Sequence, residues 1–184
     1  MEKYILVFGT IFAAFLAGTF SYFNLINSKE QKVSEFRQAW IDAFRCELAT
    51  LVSSVFFIAY YQSITKTHSA SDIEASHKNY VSACAGLLTR INAQDPDIAT
   101  NHINTVFLER LDELQTAFNK QDYVQVKVLA NFLVDSSKPL LKAEWNRVKR
   151  GEKAYRRTKF FAGALCLFGL LTSVLFLNQF LTMS

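Results

Sequence analysis

Three histidines are the side chains of this sequence that most readily support chemistry, because imidazole can bind a metal or carry a proton near neutral pH. His77 falls on an apolar helical stripe, His102 lies close to another, and His68 lies in a predicted loop. A metal site would need carboxylates beside two of them, and only Glu74 and Asp97 are candidates. We therefore predict that His77 and His102 are hydrogen-bonded core residues and that the chain holds no metal.

The sequence lacks the motifs of the common enzyme classes. Its glycines are few and scattered, so they form no phosphate-binding loop, and no Gly-x-Ser-x-Gly turn occurs. Helical ribonucleases of the HEPN type place a histidine four to six residues after an arginine. The arginines at positions 37, 45, 90 and 110 have no histidine at that distance. We predict no enzymatic activity and no cofactor.

The cysteines also show no chemical pattern. Cys46, Cys84 and Cys166 are widely spaced, and the third lies in an apolar stretch. Neither the spacing of zinc ligands nor a disulfide framework is present. We predict that all three are buried thiols.

Two apolar stretches, residues 4–26 and 159–180, lie near the two ends of the chain. No charged side chain occurs from residue 5 to 23, and at about 1.5 Å per residue such a helix crosses the ~30 Å hydrocarbon core of a bilayer. The first stretch is longer than the apolar part of a secretory signal, and the bulky Phe20 and Tyr22 occupy the place where cleavage would occur. We predict two transmembrane helices, the first of them a retained anchor.

Small side chains recur every four residues along both apolar stretches. This spacing places them on one face of a helix, where another helix can approach closely. We predict a helix-packing or oligomer face composed of Gly9, Ala13, Ala17, Ser21, Gly169 and Ser173, and Ala162 with Cys166 forms a further pair. The two spans can pack on each other or on copies of themselves, and the pattern fits both arrangements. The alternative is that small residues are simply common in membrane helices.

Basic residues lie almost entirely between the two apolar stretches and are densest just before the second. By the positive-inside rule, the middle segment is cytoplasmic and both termini lie outside the cytoplasm of a bacterial inner membrane. We predict contact with anionic lipid for Arg147, Lys149, Arg150, Lys153, Arg156, Arg157 and Lys159. A polyanionic partner stays open as an alternative. Nucleic-acid binding is not expected, because no RNA- or DNA-binding motif accompanies the charge.

The middle segment, residues 27–158, has the periodicity of amphipathic helices. Its first stripe comprises Val33, Phe36, Trp40, Phe44, Leu48, Leu51, Val55 and Ile58, and later stripes include Val81, Leu88, Ile98, Val124, Val128 and Phe132. Residues 48–61 are nearly all apolar but too few for a third span, so a core helix is predicted there. The fold class is therefore all-α: a membrane protein with N- and C-terminal transmembrane helices and a cytoplasmic bundle of four or five helices between them.

Local signals divide this segment into helices. Ser71 with Glu74 predicts a capping box, and Asp122 predicts the cap of a later helix. Asp95 is predicted as a cap followed by proline at the first helical position and an acidic first turn. The serines before Pro139 and the proline itself predict a break or a kink.

A short juxtamembrane segment follows the first apolar stretch and comprises Arg37, Gln38, Trp40, Ile41 and Arg45. Its pattern, Arg-Gln-x-Trp-Ile-x-x-x-Arg, resembles that of a broad group of small bacterial membrane proteins. It also distantly resembles the membrane-pore accessory protein of type VI-B CRISPR systems, which implies a helical cytoplasmic domain, a ring of protomers and a role in phage defence. From the residues themselves, Phe36 and Trp40 face the bundle. Arg37 and Arg45 either serve the membrane surface or pair with acidic residues on neighbouring helices.

These observations together predict a protein that acts at the bilayer and associates with copies of itself. The first hypothesis is that its cytoplasmic bundle controls a pore or another membrane-perturbing assembly. The alternative is a membrane-tethered scaffold or sensor that binds a cytoplasmic protein partner through the bundle.

Overall fold

A computed structural model describes residues 2–63, 70–150 and 153–182, which form five α-helices. In chain order they are α1 (Glu2–Ser63), α2 (Ala70–Arg90), α3 (Ile98–Asn119), α4 (Tyr123–Arg150) and α5 (Lys153–Thr182). No strand occurs in these three ranges. The predicted all-α class is confirmed, and α1 joins the first apolar stretch to the following amphipathic segment without interruption.

Two helical stretches of the described chain are long and apolar enough to cross a membrane. One lies within Leu6–Ser63 and the other within the described part of Tyr123–Leu175, and each of these ranges contains most of one predicted apolar segment. Length and composition are the basis of this assignment.

The helices divide into two compact units, Met1–Glu35 with Arg150–Ser184, and Phe36–Lys149. We call the first unit the apolar helix pair, because it contains the beginning of α1 and α5. The second unit is the four-helix bundle, which contains the remainder of α1 together with α2, α3 and α4.

The four-helix bundle buries one face of each of its helices. Its largest fully buried side chains are Phe44, Leu51, Val55, Ile58, Leu87, Phe107, Leu111, Leu114, Val126, Leu133 and Leu140. They recur at steps of three and four residues, which keeps them on the inner side of each helix. Each such burial stabilises the fold by roughly 1.5–3 kcal/mol relative to exposure. The prediction of a core helix over residues 48–61 is confirmed by Leu48, Leu51, Val55 and Ile58, which are all buried.

The helix ends follow cap chemistry, with one correction. Asp97, and not Asp95, caps α3, since its carboxylate accepts a hydrogen bond from the Thr100 backbone N–H at 3.0 Å. Pro96 therefore precedes the cap and the helix has no acidic first turn. Asp122 accepts from the Gln125 backbone N–H at 3.1 Å, which confirms the predicted cap of α4. The second helix begins one residue before the predicted Ser71 cap.

Pro139 does not break α4, which continues from Tyr123 to Arg150. A proline inside a helix leaves the carbonyl four residues earlier without its hydrogen bond. Here Pro139 and Asp135 are both exposed, so water can reach that carbonyl. Buried Ser137 and Leu140 hold the helix against the core on either side of the proline.

Several residues predicted to face inward are exposed. Phe36, for example, is 76% exposed and Val124 is 77% exposed, and the others are Val81, Leu88, Ile98, Val128, Phe132, His102 and Cys46. A sequence stripe marks every apolar residue near one side of a helix, whereas neighbouring helices cover only part of that side. His102 lies on the outer side of α3 because Thr100 and Asn104 on either side of it occupy the inner face.

Candidate functional site

A close contact holds the apolar helix pair together. A Cβ atom added to Gly169 of α5 would lie 2.5 Å from Cε1 of Phe15 of α1, so only a residue without a side chain leaves room for the ring. Ser173, one turn later, is buried and donates a hydrogen bond to the Gly169 carbonyl at 2.7 Å. Ala162 of α5 is also buried. Gly169 and Ser173 therefore belong to the surface of α5 that receives α1.

An open cleft of about 360 Å³ runs along this contact between the two helices. Aromatic and aliphatic side chains line most of it: Phe8, Ile11, Phe12, Phe15, Leu165 and Phe168, with Gly169, Thr172 and Ser173. The Thr172 hydroxyl donates to carbonyls of its own helix and is therefore satisfied locally. The cleft offers an apolar lining and no free ionic group.

The structure separates the two sets of small residues that the sequence groups together. Gly169 and Ser173 lie against α1, whereas Gly9, Ala13, Ala17 and Ser21 are exposed. A Cβ atom on Gly9 would meet nothing within 4 Å. The α1 set thus points away from α5 in this unit, and its role in assembly stays a prediction.

A second cleft, of about 610 Å³, lies near the beginning of α5 and is lined by Arg156, Arg157, Phe160 and Phe161. All four side chains are exposed. The ammonium group of Lys159 lies 5.9 Å from the centre of the Tyr155 ring, a cation–π distance. Tyr155 in turn donates its hydroxyl to Asn27 Oδ1 at 3.0 Å.

The other basic residues of the predicted lipid-contact group have different environments. Lys149 and Arg150 are exposed, and the Lys149 ammonium group lies 5.6 Å from the centre of the Trp145 ring. The Lys153 side chain lies outside the described part of the structure. Arg147 is half-buried and ion-paired within the bundle.

The bundle contains an ion-pair network of Arg37, Asp95, Glu144 and Arg147. Arg147 binds both oxygens of Asp95, at 2.8 and 3.0 Å, and Glu144 at 2.8 Å. Arg37 reaches the other oxygen of Glu144 at 2.9 Å. The network therefore joins α1 and α4 to the loop between α2 and α3.

The network changes the acidity of its members. The Arg147 guanidinium, by hydrogen bonding, holds the pKa of Asp95 below its ordinary value, which outweighs the opposing effect of burial. The Asp97 backbone N–H donates to Asp95 and the Arg37 charge acts in the same direction. The same hydrogen bond raises the pKa of Arg147. The hydrogen bonds and the neighbouring opposite charges favour the charged forms of both groups and outweigh burial, as expected for a bidentate pair.

Three residues of the juxtamembrane segment, Arg37, Trp40 and Ile41, take part in the packing or the ion pairs of the bundle. Ile41 is 2% exposed, and Trp40 stacks on Phe44 with ring centroids 5.4 Å apart and donates its Nε1 hydrogen to the Arg90 carbonyl at 3.3 Å. Arg45 is exposed beside Asp42 at 3.5 Å, and Gln38 is exposed. Arg37 thus pairs with an acidic residue of another helix, which is one of the two alternatives left open by the sequence.

A separate ion pair links α1 and α2. Arg90 Nε lies 2.6 Å from a Glu47 carboxylate oxygen, and this hydrogen bond raises the pKa of Arg90. Gly86 makes room for the pair, since a Cβ atom there would lie 2.6 Å from the Glu47 carboxylate carbon. The sequence pattern did not identify Glu47, Glu144 or Phe15, because each resembles any other acidic or apolar residue of a helix until its distant partner is known. It assigned Asp95 a capping role and not its ion pair with Arg147.

The histidines do not form a common centre in the described structure. His77 is half-buried with its ring edge-on to Phe118, at 5.6 Å between centroids, while His102 is exposed. His68 lies outside the described residues. Among the residues described, no three His, Cys, Asp or Glu side chains are placed to share a metal ion.

Comparison of the chain with protein-family models, curated protein sequences and solved structures finds no significant match.

Proposed function

We propose that this chain is a bacterial inner-membrane protein that self-associates through α1 and forms a pore or otherwise perturbs the bilayer. The observation that carries the proposal is the different use of small residues in the two apolar helices. Gly169 of α5 receives Phe15, whereas Gly9, Ala13, Ala17 and Ser21 of α1 remain exposed. In lipid no hydrophobic force brings helices together, so close packing of small residues supplies much of their association energy. The exposed α1 set is suited to packing against a second copy.

The distribution of charge supports a two-pass arrangement. Basic residues lie almost entirely between the two apolar stretches, which supports a cytoplasmic position for the bundle that they accompany. Both termini then lie outside the cytoplasm. The likeness of the juxtamembrane segment to membrane-pore accessory proteins supports a role in phage defence as part of the same proposal.

The assembly is tested by replacing Ala13 and Ala17 together with leucine in the full-length chain. Added bulk at both positions keeps the helix apolar but prevents close approach of a second copy. We expect crosslinked oligomers to disappear from membranes treated with a lysine-reactive crosslinker. The monomer should still resist carbonate extraction and should retain the helical circular dichroism spectrum of the native chain.

The matched control is the double replacement of Ala14 and Gly18 with leucine. These residues are exposed too, but each is turned by about 100° from the neighbouring position of the tested pair. The control should form oligomers normally. If the Ala13 and Ala17 variant also forms oligomers normally, the α1 surface faces lipid and the proposed assembly is wrong.

The pore is tested separately from the assembly. Induced expression in cells loaded with a potential-sensitive dye should depolarise the membrane, and the Ala13 and Ala17 variant should not. If oligomers form but no activating condition produces depolarisation, the assembly does not conduct ions.

A membrane-tethered scaffold or sensor is a second candidate, and one observation favours it. Val124, Val128 and Phe132 follow one another at four-residue steps along α4 and are all exposed. An exposed apolar row on a helix is typical of a protein-binding surface. This candidate places the partner on the bundle and needs no pore.

Photocrosslinking tests whether the exposed row on α4 binds a partner protein. A photoreactive amino acid in place of Phe132 should yield an adduct whose mass differs from that of a dimer of the chain, whereas the same replacement at exposed Asn131 should not. Equal labelling from both positions would show that Phe132 does not belong to a specific partner-binding surface.

A further inference from the structure

The cleft lined by Arg156, Arg157, Phe160 and Phe161 combines two kinds of side chain in a regular order. Residues four apart lie one above the other on a helix, so Arg156 stands over Phe160 and Arg157 over Phe161. The open cleft beside these two columns has a volume of about 610 Å³. One end of the cleft is therefore cationic and the other aromatic.

Both parts of this cleft are open to a ligand. Phe160 is 73% exposed and Phe161 is 69% exposed, although rings of this size are normally covered. Among the residues that the structure describes, no carboxylate forms an ion pair with Arg156 or Arg157. Arg37, Arg90 and Arg147 of the bundle, by contrast, all have acidic partners.

The two arginines and two phenylalanines of the cleft favour a ligand that has both an anionic group and an apolar part. A guanidinium binds phosphate oxygens through parallel hydrogen bonds, and two adjacent guanidinium groups can hold one phosphate between them. A soluble anion would use the arginines and leave both phenylalanine rings in water. A phospholipid satisfies both ends, because its acyl chains begin within one helical turn of its phosphate.

We propose that this cleft binds one anionic phospholipid, with its phosphate on Arg156 and Arg157 and its acyl chains against Phe160 and Phe161. This inference rests on the proposed placement of α5 in a membrane. It goes further by locating the lipid contact in four residues and by excluding Arg147, whose guanidinium is occupied by Asp95 and Glu144.

The test measures lipid adducts on the full-length chain by native mass spectrometry from detergent micelles, with dioleoyl phosphatidylglycerol or dioleoyl phosphatidylcholine. The first molecule of phosphatidylglycerol to bind should do so roughly tenfold more tightly than the first molecule of phosphatidylcholine. Both lipids offer a phosphate for charge-assisted hydrogen bonds, but only phosphatidylglycerol has a net negative charge. The double variant R156Q/R157Q should lose this preference. The charge-matched control K120Q/K142Q should keep it, because both replaced lysines lie in the bundle.

Two further measurements test whether the phenylalanine rings contribute to binding and whether the bound anion is a lipid or free phosphate. The variant F160A/F161A should weaken phosphatidylglycerol binding several-fold, and millimolar inorganic phosphate should not displace the lipid from the native chain. Complete displacement by phosphate would show a free-anion site and overturn the proposal. Equal affinity for the two lipids, or equal behaviour of R156Q/R157Q and the control, would overturn it as well.

Carbonate extraction separates this proposal from the one on which it rests. If the native chain remains in carbonate-washed membranes yet shows no lipid preference, the lipid site alone is wrong. If the native chain is itself extracted, the membrane placement is wrong, and the proposed lipid site is then wrong as well.

Discussion

Arg147 illustrates how a basic residue of a densely charged segment can take part in the packing of the fold. Its position in a dense basic segment predicts a lipid contact, and its side chain instead binds both oxygens of Asp95. Partly buried charges need partners, because an unpaired charge away from water costs several kcal/mol. The ion-pair network is therefore expected to matter more for stability than an exposed pair such as Arg110 with Glu113.

Replacing Asp95 with asparagine should destabilise the full-length chain at pH 7 by about 1–3 kcal/mol, the usual loss when a hydrogen-bonded charged partner is removed. Arg147→Gln should cost a similar amount, and the double variant should cost less than the sum of the two. Unfolding by guanidinium chloride in micelles measures all three. Additive effects would show that the pair does not interact.

The pH dependence of the same pair has a definite sign. The pKa of Asp95 is lowered in the folded chain, so its stabilising contribution is fully present above the unfolded pKa of about 3.9. That contribution disappears as the pH falls below this value and through the folded pKa. The stability difference between the native chain and Asp95→Asn should therefore be large at pH 7 and shrink below pH 4. A constant difference across this range would contradict the lowered pKa.

The cysteines should differ in reactivity. Cys46 is exposed, whereas Cys84 is enclosed in the core and burial raises the pKa of its thiol. Because the thiolate is the reactive form, a polar maleimide at pH 7.5 should label Cys46 in the folded chain and reach Cys84 only after denaturation. Peptide mapping by mass spectrometry identifies the labelled site, and Cys46→Ser should abolish labelling of the folded bundle. Rapid labelling of Cys84 without denaturant would contradict the core packing.

At the scale of the helical element, the contact of α1 with α5 depends on one missing side chain. Gly169 leaves space for the Phe15 ring, whereas a Cβ atom on Gly163 of the same helix would meet nothing within 4 Å. Two glycines of equal helix propensity therefore have different packing roles. Their comparison isolates the packing effect from the effect of glycine on the helix itself.

Gly169→Leu should destabilise the helix pair by roughly 1–3 kcal/mol, the usual cost of overpacking, while Gly163→Leu should be neutral or slightly stabilising. Phe15→Ala combined with Gly169→Leu should recover part of the loss, because the larger residue then fills the space of the ring. Protease resistance in micelles measures the pairing. Equal sensitivity of the two single variants would show that the Phe15 contact is not formed.

At the scale of the whole molecule, the chain consists of an apolar helix pair and a four-helix bundle, with α1 contributing to both. The two units use different physical principles. The bundle buries large apolar side chains away from water, whereas the helix pair brings Phe15 against Gly169. A substitution in one unit is thus expected to leave the internal packing of the other unchanged.

The proposed topology makes a direct prediction for the whole chain. Reporter enzymes that are active only outside the cytoplasm should work when fused to either terminus and fail when inserted beside Asp95, because basic segments remain on the cytoplasmic side. A reporter active only in the cytoplasm should show the opposite pattern. Cytoplasmic activity of a C-terminal fusion would mean that the second apolar stretch does not cross.

The sequence by itself determined the features that depend on local periodicity and composition. The all-α class, the two apolar stretches, the core face of residues 48–61 and the Asp122 cap all follow from neighbours within about two helical turns. Such features need only the spacing of side chains on a helix and the hydrogen bonds of its first turn.

Only the tertiary structure decided which of several equivalent residues are used. It placed the Gly169 surface against Phe15 and left the Gly9 and Ala13 surface exposed, although both have the same spacing. It paired Arg147 with Asp95 across 52 positions of the chain and left Phe36 outside the core. The physical reason is that a helix presents several suitable faces, and the packing of distant helices selects among them according to shape and charge that no local pattern contains.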